Sequence, residues 1–63
     1  MDRSAIIAAY EANETAARDL IPGRFLLPED VVTCIDLAAR QCGVRFEQAR
    51  DVLEVHWTMR ASG

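Results

Sequence analysis

The sequence predicts an all-α domain, a small three-helix bundle, and three features carry that expectation. An alanine-rich stretch runs up to a Pro/Gly segment; a second stretch, bounded by Pro28 and Gly43, has apolar residues at helical spacing; and no run alternates apolar with polar residues as a half-buried strand would. A single domain spans residues 1–63, with helices near 4–20, 28–42 and 45–60 and a linker over 21–27.

The first helix follows from alanine's high helix propensity and from Glu14 and Arg18 at i,i+4 spacing. Ser4 or Asp2 supplies the N-cap, and Pro22 with Gly23 ends the helix. Ile6, Ala9, Ala16 and Leu20 are expected to share a thin apolar stripe. In the connecting segment, Phe25, Leu26 and Leu27 are expected to fold under the bundle as a lid.

The second helix has the clearest boundaries. Pro28 suits the first turn, Glu29 and Asp30 favour the positive end of the helix dipole, and Gly43 suits the position just past the C-terminus. Val31, Ile35, Ala38 and Cys42 form its stripe, widened by Val32, Cys34 and Ala39. Thr33, Asp36, Arg40 and Gln41 make the wet face, where Asp36 and Arg40 can pair. In the third helix Ala49, Val52, Leu53, His56 and Met59 are expected to face inward, joined to helix two by a tight glycine turn.

Composition bounds the function. A chain of 63 residues and 7.0 kDa buries only about 60% of its unfolded surface, a poor setting for a deep catalytic cleft. Apolar residues at 51% with charged residues at 27% describe a folding chain and not a disordered one. Ten acids against seven arginines give a net charge of −3, a balance that opposes general affinity for phosphate backbones or anionic membranes. Lysine is absent and alanine abundant, a bias that points to a GC-rich bacterial or phage genome. Met1-Asp2-Arg3-Ser4 opens no apolar signal segment and no run approaches a membrane span, so a cytoplasmic protein is expected.

Residues 37–53 carry the one recognisable motif. Ala39 lies four before Gly43, Val44 follows the glycine, and Ala49 and Val52 stand six and nine after it. This pattern resembles the helix-turn-helix of bacterial and phage regulators, where a glycine turn lets two helices pack at a steep angle. The resemblance implies a tri-helical domain and, as one reading, DNA binding through Arg40, Arg45 and Arg50, with a homodimer gathering enough contacts. Arg45 stands where that family has a small hydroxyl cap. The outward positions Phe46, Glu47, Arg50, Asp51 and Glu54 hold three acids against one arginine, so DNA is disfavoured.

A protein partner fits that face better. Phe46, Arg50, Leu53 and Trp57 fall at i, i+4, i+7 and i+11, bringing two aromatics and an arginine to one side, and Trp and Arg are enriched in interface hot spots. Trp57 has a second reading as a core anchor, since so small a core needs its apolar area. The expected partner surface is Phe46, Glu47, Arg50, Asp51, Glu54 and Trp57.

No catalytic, metal or cofactor constellation is expected. Cys34 and Cys42, eight residues apart on one helix, are about 12 Å apart, too far for a disulfide or a shared zinc ion. Both read as small apolar groups, and His56, with no nucleophile beside it, as a core or boundary histidine. The expectation is a small non-enzymatic regulator acting on a protein such as a transcription factor. A helix-turn-helix DNA-binding regulator is the alternative, and an enzyme's accessory subunit the third reading.

Overall fold

The computed structural model describes residues 2–20 and 26–62. They form α1 (Arg3–Leu20), α2 (Pro28–Cys42) and α3 (Phe46–Ser62), with no strand among the described residues. The helix-ending role of Pro22 and Gly23 and the lid position of Phe25 lie outside the described residues.

Each helix start satisfies its free N–H groups differently. Asp2 caps α1: its Oδ1 accepts the Ala5 N–H at 3.2 Å, and its carbonyl accepts that of Ile6 at 3.2 Å. Leu27 and Arg45, which precede α2 and α3, have no acceptor in their side chains. There the third helical residue reaches back, Asp30 Oδ2 accepting the Leu27 N–H and Gln48 Oε1 the Arg45 N–H, both at 3.0 Å. This is one half of a capping box, used twice. Pro28 at the first position of α2 removes a donor that would have been left over.

α2 ends in a Schellman turn. Gly43 is left-handed at φ 68°, its N–H donates to the Arg40 carbonyl at 3.2 Å, and the Val44 N–H donates to Ala39 at 3.0 Å. α3 begins three residues later and runs past the expected end at residue 60 to Ser62, whose hydroxyl donates to the Thr58 carbonyl at 3.0 Å.

The core draws Ile6 and Tyr10 from α1, Cys34, Ile35, Ala38 and Ala39 from α2, and Ala49, Val52 and Leu53 from α3. Among the described residues only Ile6 and Leu53 are both large and fully buried, and the molecule is 17 Å across its thinnest dimension. The broadest helix–helix interface joins α1 to α2 and the narrowest joins α1 to α3. Across the first, the Asn13 side-chain amide donates to Gln41 Oε1 at 3.1 Å and to its own helix's Ala9 carbonyl at 2.8 Å. The expected i,i+4 pairs close at 3.4 Å for Glu14–Arg18 and 3.0 Å for Asp36–Arg40.

Four side chains depart from the expected stripes. Ala16 is exposed and Leu20 is 82% exposed; Tyr10 and Ala17 face inward instead. The true stripe on α1 follows Ile6 at i+4 and i+11, whereas i+10 and i+14 sit roughly a quarter turn to the other side. Burying the larger tyrosine sets the rotation. Val32 is 52% and Met59 68% exposed, each about a quarter turn from the centre of its helix's buried positions. Of the lid residues within the described structure, Leu26 is half-buried and Leu27 exposed.

A Cβ built at Gly43 meets nothing within 4 Å, so substitution there is penalised by backbone conformation alone. Gly43→Val is expected to cost about 1–2 kcal/mol, and Gly43→Asn less, because asparagine tolerates the left-handed region. Thermal melts check this: valine should lower Tm by about 4–8 °C per kcal/mol. An unchanged Tm for valine, or asparagine melting below valine, contradicts it.

Candidate interaction surface

The six sequence-predicted surface residues divide into two groups. Glu47, Asp51 and Glu54 are exposed on α3. Phe46, Arg50 and Trp57 are half-buried, with Phe46 and Trp57 packed against the core, and Leu53, which shares their side, is fully buried. The i, i+4, i+7, i+11 line that groups the aromatics with Arg50 therefore borders the core along its length.

Trp57 meets Tyr10 edge-to-face, with ring centroids 5.3 Å apart and planes at 68°, a geometry in which the positive edge of one ring meets the negative face of the other. The Tyr10 hydroxyl donates to the Glu14 carboxylate, which also holds Arg18. Trp57 is thus tied to α1 through a ring contact that continues into a surface ion pair. His56 is half-buried beside it.

Arg50 is pinned by its surroundings. Its guanidinium reaches Asp51 at 3.5 Å, while its Nε is out of solvent with no hydrogen-bond partner. An unpaired buried N–H costs free energy, while the rest of the half-buried side chain reaches solvent beside Asp51. Arg40 is bridged to Asp36, and Arg45 is exposed at the start of α3.

Burial pushes the Tyr10 phenol far above its ordinary value near 10, with the hydrogen bond to Glu14 and that carboxylate's charge acting in the same direction. Burial likewise raises the Cys34 thiol, helped by the charges of Glu14 and Asp30. Cys34 and Cys42 are both free thiols. Among the described residues no three His, Cys, Asp or Glu side chains cluster as a metal site would require. Among the described residues no helix is long and apolar enough to cross a membrane.

Two apolar residues on α3 escaped sequence reasoning as surface groups. Val55 is 45% exposed, and Met59 follows it by one turn on the same side of the helix. Their signal was available: they stand at i+6 and i+10 from Ala49, out of step with the Val52 and Leu53 positions that line the core.

The resemblance to helix-turn-helix regulators rests on Ala39, Gly43, Val44, Ala49 and Val52. Ala39, Ala49 and Val52 are buried, Val44 packs against the core, and Gly43 turns the chain. In comparisons with family models, characterised proteins and solved structures, nothing matches this chain.

Two outcomes test this description. Because folding holds the Tyr10 and Cys34 protons, their contribution to stability is full below the unfolded-state values near 9 and 10 and is lost as pH rises beyond them. With one tyrosine and no lysine in the chain, phenolate absorbance reports Tyr10 alone. It should appear only on unfolding, and Tyr10→Phe should reduce the alkaline loss of stability; phenolate forming near pH 10 in the folded protein contradicts this. Arg50→Met keeps the stem and removes the unpaired Nε, so stability should stay within about 0.5 kcal/mol or rise. A loss above about 1 kcal/mol in urea unfolding would show that the charge holds the fold.

Proposed function

We propose that this chain is a small non-enzymatic regulator that acts by binding a protein partner, antagonising a transcription factor or another macromolecular machine. The observation that carries this reading is the division of α3: its aromatics pack against the core, while Glu47, Asp51 and Glu54 stand in solvent, Asp51 with Arg50 at 3.5 Å. What the helix offers a partner is negative charge, which attracts a basic surface, steers encounter and repels nucleic acid. The partner-binding residues of this proposal are Glu47, Asp51 and Glu54; Phe46, Arg50 and Trp57 contribute by holding α3 in place.

The helix-turn-helix DNA-binding reading is favoured by one observation, the exposed Arg45 at the start of α3 directly after the glycine turn. Against it, Arg40 is bridged to Asp36 and Arg50 to Asp51, which reduces the charge available to phosphates.

Affinity capture from the producing organism tests the leading reading. A stoichiometric protein should be retained, released as ionic strength rises above about 0.15 M, and lost with Glu47→Lys/Asp51→Lys/Glu54→Lys while the helical circular dichroism is unchanged. Absence of a stoichiometric protein, or undiminished capture by the triple variant, contradicts it. A sequence-specific gel shift on upstream DNA would favour the second reading.

A further inference from the structure

We infer that Val55 and Met59, bordered by Glu47, Asp51 and Glu54, form a docking shelf for a cationic amphipathic helix of the partner protein. The inference deepens the protein-binding reading above and rests on it. Helical spacing fixes the arrangement: Glu47, Asp51 and Glu54 fall at i, i+4 and i+7, and Asp51, Val55 and Met59 at i, i+4 and i+8. The acidic row and the apolar row meet at Asp51. Together they make a strip about 18 Å long, enough for about three turns of a facing helix. Val55 is 45% and Met59 68% exposed. α3 therefore carries two apolar side chains, one turn apart, that the core does not cover.

Charge decides the occupant. A second copy docked on this shelf through a two-fold axis would gather the three carboxylates of both copies in one interface, and nucleic acid carries the same sign. A purely ionic partner would leave Val55 and Met59 without a role. A helix with apolar residues at i, i+4 and i+7, flanked by Arg or Lys, satisfies both rows at once. The flexible thioether of Met59 suits it to adapt to such a partner.

The test uses the full chain, labelled for NMR and titrated with a synthetic Leu/Lys amphipathic helix of about four turns and with a scrambled peptide of the same composition. Shifts should concentrate between residues 47 and 59, and the amphipathic peptide should bind at least tenfold more tightly than the scrambled one. Val55→Ser/Met59→Ser, both at exposed positions, should weaken binding at least fivefold while leaving circular dichroism unchanged. Equal binding of the scrambled peptide, shifts centred on another helix, or unchanged affinity in the double variant overturns the proposal. So does a self-association that the double variant abolishes, which would make the occupant a second copy. If capture from the producing organism is lost in the triple-lysine variant but untouched by Val55→Ser/Met59→Ser, the shelf is wrong and the protein-binding reading survives.

Discussion

The edge-to-face contact between Tyr10 and Trp57 is the interaction on which closure of this bundle depends. α2 is tied to α3 by the short Gly43 turn and to α1 by the broadest interface of the three, so neither seam relies on one contact. The α1–α3 seam is the narrowest, and a ring pair there adds about 0.5–1.5 kcal/mol beyond the area it covers. In a domain whose whole stability is on the order of 5 kcal/mol, that increment is a large share. Among the described residues, three of the nine buried ones are alanines and one is a cysteine.

That scarcity shapes the surface. A chain this small cannot leave its tryptophan in solvent awaiting a partner, so Trp57 and Phe46 are drawn against the core, and Arg50 lies beside them with its Nε unpaired. The three carboxylates of α3 have no such use and remain outside. Fold and proposed binding thus draw on different residues of one helix. Charge changes on the outer side should therefore be separable from stability, as is general for exposed helix positions.

α2 was legible from the sequence to its last residue because its ends are chemical: Pro28 can start a helix but not continue one, and Gly43 takes a conformation other residues resist. The rotation of α1 was not legible. Its alanines fit several stripes equally well, and the side that turned in carries Ile6 and Tyr10 and leaves Leu20 exposed. On α3 Met59 was expected inward with Ala49, Val52 and Leu53, yet it is exposed together with Val55, because both are stepped away from those buried positions. Sequence spacing placed Phe46, Arg50 and Trp57 on one side correctly, but which way that side pointed depended on where α1 lay. The acids at 47, 51 and 54 were legible as solvent-facing because ionised carboxylates are rarely buried without partners.

The central claim, that the aromatic side of α3 serves the fold and leaves its acids to a partner, is tested most directly by a double-mutant cycle on Tyr10→Leu and Trp57→Leu in urea unfolding. If the rings close the α1–α3 seam, each single variant should lose stability and the pair should show a coupling of about 0.5–1.5 kcal/mol. Additive effects, with Trp57→Leu costing less than about 0.5 kcal/mol, would contradict the account and return Trp57 to the set of side chains free to meet a partner.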